Sequence, residues 1–411
     1  MPSDTLTAAA APQEAAPLTP DIPGGWRNAW RRGLMTWLTA VAGYTVLTFF
    51  AAMNTPGSGF LSRWQNWGNW DYSWYEMIAE SGYDGIPAFL AAKAPAFYPL
   101  YPTLIHVTGW VLPGPTLLTA QLLSATFFAG FLVVFYRLVE QEFGAGTASR
   151  SLWLVIAFPA AFFLFAPYNM SLLLLLMVSA FYAIRRQNWW LAGVLGGLTV
   201  LTRPSGLILV LPFAYEYLRR RNFQLKRIRL DVLWIGAIPA GLASYMAYCW
   251  VVLGDAFAPS HAQALWTRGF DLPFMPVVWT VGKIWQDFSS GTADIKTYTS
   301  VYDIVAVLFA GTLVVLGFVG PWKFRKDQLA LPLTALGIFL FSLSFPLHLV
   351  VPELPQFEVT KLESMIRYVL ELFPAFIVLA RITRIERAYV FISLTLQGFL
   401  ILQFLSGNWV A

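Results

Sequence analysis

Charge is scarce in this sequence: Asp, Glu, Lys and Arg make up 12% of its 411 residues, where a soluble domain carries about 25%. Cysteine is scarcer still. Cys249 stands alone inside an apolar run, so no intrachain disulfide can form. The three histidines, His106, His261 and His348, lie far apart without ligand spacing, and each is expected as a hydrogen-bonded interfacial side chain. No metal and no cofactor is implied. The phosphate-binding P-loop is missing, so this sequence carries no ATP-driven engine of that type. A strand–Gly-x-Gly-x-x-Gly–helix unit is missing too, which removes the usual cradle for a dinucleotide or nucleotide sugar. The net charge of +5 is no sign of nucleic-acid binding, because basic residues of membrane proteins collect in cytoplasmic loops.

What the sequence has instead is apolar length: 57% of its residues are hydrophobic. Apolar runs fall at 33–53, 115–136, 151–167, 170–184, 189–202, 205–218, 232–252, 301–319, 328–346, 367–380 and 388–405. Several reach the roughly 20 residues that cross a bilayer as helix. The runs are continuous rather than alternating, which excludes a β-barrel. The expected fold is an all-α integral-membrane bundle of about eleven transmembrane helices with outer-face loops and interfacial helices. The span at 189–202 is short and Pro204 follows it, so a broken or tilted helix is expected there. Gly193 and Gly197, with Gly196 beside them, form a small-xxx-small pair that reads as close helix packing.

Residues 1–25 are rich in Ala, Pro and Thr without an aromatic, and read as a disordered cytoplasmic tail before a transmembrane domain at 26–411. A cleaved signal peptide is the competing reading of the first run, but that run exceeds the about 7–15 residues of a signal core. Arg27, Arg31 and Arg32 instead pin the N-terminus inside. With the spans alternating from there, 19 of the 27 basic residues fall inside. Arg63, Lys93, Arg203, Arg268, Lys283, Lys296, Lys361 and Arg367 fall outside. The long polar segments 54–114, 253–300 and 347–366 all face outward, and 13 of the 22 acids lie in them or at their edges. Any chemistry is expected on that face of a multi-pass protein of the cell membrane.

The chain is organised around one stretch of the first outer segment, Asn69-Trp70-Asp71-Tyr72-Ser73-Trp74-Tyr75-Glu76, continuing to Tyr83. On a helix starting at Trp70, residues 70, 74, 77, 78 and 81 share an apolar face, while Glu76 and Glu80 lie elsewhere. Such a helix suits the membrane–water interface and would hold Asp71 at headgroup depth. An interfacial anchor with an incidental Asp is the plain alternative. Farther along, Arg203 in Thr202-Arg203-Pro204-Ser205-Gly206 and Arg367 in Arg367-Tyr368 both break the positive-inside pattern. A charge at that depth costs about 2.5–3.5 kcal/mol and ordinarily has a partner or a task. Two readings are open for them. The arginines snorkel, or Arg367 pairs with Glu363 or Glu371 on its own helix face; or they bind a phosphate at the outer leaflet through the guanidinium fork. On the second reading a lipid phosphate carrying a sugar sits with its chain in the bilayer. Asp71 would then accept a proton from an incoming hydroxyl.

Trp70-Asp71, Trp74-Tyr75, Ile78-Ala79 and Gly82-Tyr83, followed by Phe97-Tyr98-Pro99-Leu100-Tyr101-Pro102, resemble the PIG-V mannosyltransferases of the GT-C superfamily. Pro159, Phe162, Phe163 and Tyr168-Asn169-Met170-Ser171, then Thr202-Arg203-Pro204-Ser205-Gly206, then Arg367-Tyr368 with Phe373-Pro374, are similar to the later motifs, in order. The resemblance runs from about residue 60 to 375, and the compact loops look like those of a prokaryotic relative. It implies inverting transfer of mannose, or a related hexose, from a polyprenyl-phosphate sugar donor to a glycolipid or other extracytoplasmic acceptor, within the membrane lipids and without nucleic acid. It matches Asp71 to the family's acidic base. Met170 stands where the family usually has an acid, which bears on the acceptor, and the GPI-anchor acceptor of eukaryotic members is not carried over. Arg203 and Arg367 are the phosphate-side candidates. Trp70, Tyr75, Tyr98, Tyr101 and Tyr368 are candidates to line the substrate pocket, since aromatic faces and hydroxyls suit sugars; belt residues at the interface are the alternative for the tyrosines. A transporter or flippase of a lipid-linked sugar is the rival from another class, and an assembly subunit without activity a third reading. A transporter would favour internal repeats and midplane acids, which this sequence does not display.

Overall fold

The computed structural model describes residues 25–53, 59–112, 114–351 and 354–410, with side chains at 295 and 349–360 left aside. The tail expected over 1–25 lies, up to residue 24, outside the described residues. The chain is an all-α integral-membrane bundle, and every one of the eleven apolar runs is helical over much of its length. Five helices are long and apolar enough to cross a membrane unaided: Gly25–Met53, Thr116–Phe143, Leu230–Leu253, Lys296–Phe318 and Thr383–Leu405. Among the described residues the exception to helix is a two-stranded antiparallel ribbon, Leu347–Val351 with Leu354–Lys361.

Two expected spans are not continuous. The run at 151–167 ends as α-helix at Ala157, and a 3-10 turn follows at Ala161–Leu164. Pro159 causes the break: it lacks an N–H and pushes Phe158 out of the helical region, to ψ 138°. Phe158 to Ala166 are all buried, so this irregular backbone is shielded by protein, the condition under which it is tolerated at membrane depth. The run at 367–380 divides into Met365–Tyr368, a 3-10 turn at Val369–Glu371, and Phe373–Arg381 with Pro374 in its first turn.

The glycine pair packs as its spacing suggests. A Cβ on Gly193 would lie 2.0 Å from the Trp234 carbonyl oxygen, and one on Gly197 would lie 2.6 Å from that of Ala237. Backbone therefore meets backbone between the Trp189–Thr202 helix and the segment leading into Ala237–Leu253. No larger residue permits that approach.

The end of the bundle carrying Arg185 and Glu216 is held by a buried charge network. Arg185 donates to both carboxylate oxygens of Glu142, at 2.5 and 2.9 Å, and to the Asp327 carbonyl at 2.6 Å. Glu216, fully buried, accepts from Arg219 at 2.8 Å and Arg220 at 2.7 Å. Removing one partner of such a pair leaves an uncompensated charge and costs about 3–5 kcal/mol. Arginines expected on the inner side thus also tie together the Thr116–Phe143, Met170–Arg185 and Val210–Arg220 helices.

The three long polar segments gather at the other end. The Tyr245 hydroxyl donates to the Pro95 carbonyl at 2.9 Å, and the Trp266 indole to that of Lys93 at 3.2 Å. His348 N–H donates to the Thr267 carbonyl at 2.6 Å, and Leu362 N–H to the Thr280 hydroxyl at 3.0 Å. The described parts of these three segments therefore form one polar cap over the helices.

Candidate active site

The Glu386–Leu405 helix ends in carbonyls with no partner in the helix. The first polar segment supplies the donors: Arg63 and Asn66 donate to the Leu405 carbonyl at 3.0 and 2.6 Å, and Asn69 to that of Phe404 at 3.0 Å. The Tyr168 hydroxyl then donates to the Asn69 carbonyl at 2.8 Å. Held from both sides, the chain turns at Trp70, whose φ is 61°. That conformation costs a non-glycine residue of order 1–3 kcal/mol and persists where the surroundings impose it. The helix expected to start at Trp70 starts instead at Tyr72, with Asp71 at its N-cap making no capping bond. The Asp71 side chain is directed elsewhere.

Its partner is 296 residues away. Arg367 Nη1 donates to Asp71 Oδ2 at 2.7 Å. Arg367 is 7% exposed, and its guanidinium carbon lies within 5.5–6.0 Å of the rings of Phe163, Tyr168, Tyr368 and Trp409. Cation–π attraction is strongest where water is excluded. The pairing with Glu363 or Glu371 on the same helix face does not form. After Tyr368 the chain tightens into the 3-10 turn at Val369–Glu371, and Glu371 faces Arg203, 2.9 Å away. Each arginine is thus paired with a carboxylate from another segment.

Arg203 is presented by the expected break. The Trp189–Thr202 helix stops, Arg203 is extended with φ −163° and ψ 143°, and Pro204 opens a 3-10 turn. Gly206 lets that turn fold back on the helix: a Cβ there would lie 2.7 Å from Val200 N. Asn169 donates to the Thr202 carbonyl at 2.9 Å and fixes the turn from the neighbouring helix.

These groups line one cavity of about 730 Å³, well within the range of small-molecule sites. Asp71, Tyr75, Tyr98, Arg203, Arg367 and Tyr368 all border it. Two expected lining residues do not. Tyr101 is wholly buried behind Tyr75, with their rings 5.1 Å apart, and its hydroxyl bonds the Ser124 hydroxyl at 2.7 Å. Trp70 stands one layer out, against Trp409, whose ring is 5.2 Å away and which does border the cavity. Burial pushes the phenols of Tyr75 and Tyr98 up, so both stay protonated and present neutral hydroxyls.

Arg268, Glu371, Trp266 and Trp409, none of them among the expected site residues, also border the cavity. For Arg268 a signal was available: it is one more basic residue in the segments expected to face outward. Three arginines and three carboxylates, with Glu363 the third, share the space. Tyr368 is its hub. The guanidinium carbons of Arg203, Arg268 and Arg367 lie 4.6, 6.0 and 5.8 Å from its ring. Ser205 Oγ, Ser364 Oγ, Arg367 Nε and Glu371 Oε2 are buried without a protein hydrogen-bond partner, and their residues border the cavity. Ser364, three residues before Arg367, has φ 66°. Met170 is buried at the same cavity, so the departure from the PIG-V pattern falls inside the site.

Other polar candidates are occupied elsewhere. His106 bonds the Ala79 carbonyl at 2.6 Å, and His261 bonds Asp255 at 2.7 Å; this bond holds the Asp255 carboxyl below its ordinary range. Asp255 and Asp271 do not border the cavity.

The sequence matches no family model and no curated relative. Two crystal structures of the Archaeoglobus fulgidus oligosaccharyltransferase align with the fold. One is tethered with an acceptor peptide containing the NVT sequon and the other is in complex with Zn and sulfate. Their TM-scores are 0.44 and 0.39, each at 12% identity over 90% of this chain. The chain spans about half of their length, 55% and 53%. A likeness at this level assigns neither chemistry nor residues.

Proposed function

We propose that this protein is a GT-C-like membrane glycosyltransferase. It moves a hexose, mannose by its resemblance to the PIG-V enzymes, from a polyprenyl-phosphate donor to a hydroxyl of a lipid-linked or extracytoplasmic acceptor, with inversion. The observation that carries the reading is the convergence of Asp71, Arg203 and Arg367 on one cavity in a chain without nucleotide motifs. The acceptor oxygen attacks the anomeric carbon from the face opposite the phosphate, and its proton passes to Asp71. The bond between that carbon and the phosphate oxygen breaks, and the electron pair leaves on the phosphate. Arg367 engages Asp71 Oδ2, and Oδ1 remains for the proton. Arg367, bonded to the base, belongs to the acceptor side, which leaves the phosphate to the other arginines of the cavity, and the neutral hydroxyls of Tyr75 and Tyr98 suit a sugar. A flippase of the same lipid is less well supported, because its charges would sit between two access routes rather than under one polar cap.

The test is incubation of the purified protein with polyprenyl-phosphate mannose and membrane lipid extract, followed by mass analysis. A lipid heavier by one hexose, formed together with polyprenyl phosphate, is expected. Movement of the intact donor across a proteoliposome without bond cleavage would favour the flippase instead. On this reading the cavity faces outward. A cysteine introduced near Lys283, with Cys249 removed, should label with an impermeant thiol reagent in intact cells, and one in the Lys226 loop should not. The reverse pattern would turn the site to the inner face.

A further inference from the structure

The three guanidinium groups around Tyr368 are not equivalent. Arg203 is engaged by Glu371 and Arg367 by Asp71, at 2.9 and 2.7 Å. Freeing Arg203 would leave the buried Glu371 uncompensated, and freeing Arg367 would release the proposed base. Arg268 is under no such constraint. Its one side-chain hydrogen bond is to the Phe345 carbonyl, at 3.1 Å, and it makes no ion pair among the described residues. A guanidinium has five N–H donors in a planar fork, so most of its donor capacity is uncommitted.

Arg268 is also fixed in place. Thr267 before it turns through φ 54°, and its carbonyl accepts the His348 N–H. Gly269 after it lies so close beneath His348 that a Cβ would come within 2.8 Å of the ring nitrogen. Arg268 itself bridges to Leu347 at the start of the ribbon. The apolar side chains Phe257, Pro259, Phe341, Phe345 and Leu347 border the same cavity. The site therefore combines one planar cation with donors to spare, an apolar wall, two further arginines each paired with a carboxylate, and Glu363, which makes no ion pair with Arg268. A ligand with a single phosphate head and a long apolar chain fits that combination: the head on Arg268, the chain along the wall.

We infer that Arg268 receives the phosphate of the lipid-linked donor. This rests on the glycosyltransferase reading and goes beyond it by separating docking from chemistry. Arg268 holds the phosphate on arrival, while Arg367 holds Asp71. When the bond to the sugar breaks, additional negative charge develops on the phosphate, and a fork already in place stabilises it without reorganisation.

Binding alone tests the assignment. Purified protein in nanodiscs is titrated with a short-chain polyprenyl phosphate and separately with the matching polyprenol, with tryptophan fluorescence as the signal, since Trp266 and Trp409 border the cavity. Wild type should prefer the phosphate by about 10- to 100-fold, the scale of one charged hydrogen-bonded contact. Arg268→Gln should remove most of that preference and leave polyprenol affinity unchanged, which also shows that the cavity is still folded. Arg268→Lys should keep part of it, having the charge without the fork. A preference that survives Arg268→Gln intact overturns the inference and leaves the enzyme reading standing. A wild type that binds both lipids equally would sink the enzyme reading and this inference with it. Displacement of polyprenyl phosphate by equimolar inorganic phosphate would overturn the lipid assignment in favour of a free anion.

Discussion

Asp71→Asn should give a protein that folds, inserts and binds the lipid donor with near-wild-type affinity, yet transfers sugar about 10²–10⁴-fold more slowly, the usual contribution of a general base. The substitution keeps shape and hydrogen-bonding reach and removes proton affinity. The amide oxygen can still accept from Arg367, so the 2.7 Å contact has a replacement and the cavity need not collapse. Glu76→Gln and Glu80→Gln serve as controls from the same short helix. Glu76 accepts from the Tyr72 hydroxyl at 2.7 Å and Glu80 from the Thr116 hydroxyl. Neither borders the cavity, and each should retain most activity. The measurement is the single-turnover transfer rate at saturating donor, with donor affinity determined separately. Near-wild-type transfer by Asp71→Asn would mean that the base is another acid. Glu363 and Glu371, which border the cavity, would then be tested before Asp255 and Asp271, which do not.

Arg367→Lys should have the second-largest effect. The substitution keeps the charge and loses the planar fork. A shorter ammonium cannot hold Asp71 Oδ2 and remain among the rings of Phe163, Tyr168 and Trp409 at once. Transfer should fall by on the order of 10–100-fold, the scale of losing one charged hydrogen-bonded contact in a buried site. Arg203→Lys should fall less, because its pair with Glu371 stands one step from the proposed base. Protein levels and melting temperature accompany the kinetics, to separate misfolding from chemistry. Unchanged donor affinity and unchanged transfer in both variants would reduce the two ion pairs to helix clamps.

Much of the architecture was legible because bilayer chemistry leaves little freedom. A run of apolar residues at that depth must satisfy its backbone internally, so helix follows from composition alone. Gly193 and Gly197 were readable for a similar reason: their spacing places two missing side chains on one helix face. The breaks at Pro159 and before Pro374 were less legible. Proline removes one hydrogen bond, but whether the chain then kinks or leaves the helix depends on what packs around it.

The site divides along the same line. Charge placement marked Arg203 and Arg367, because each stands where an idle charge is costly; Asp71 was marked by the motif around it, with an incidental carboxylate as the alternative. Which carboxylate each arginine meets was decided by tertiary structure alone. Arg367 and Glu371 have helical spacing in the sequence, yet the 3-10 turn at Val369–Glu371 directs Glu371 to Arg203 and leaves Arg367 to an aspartate 296 residues away. Likewise Tyr101 carries the same chemistry as Tyr98, and packing decided that one lines the cavity while the other is sealed behind Tyr75. Local periodicity reports which residues share a face and how well each tolerates lipid. It carries no information on distant partners, because a pairing energy depends on a distance that exists only once the helices have packed.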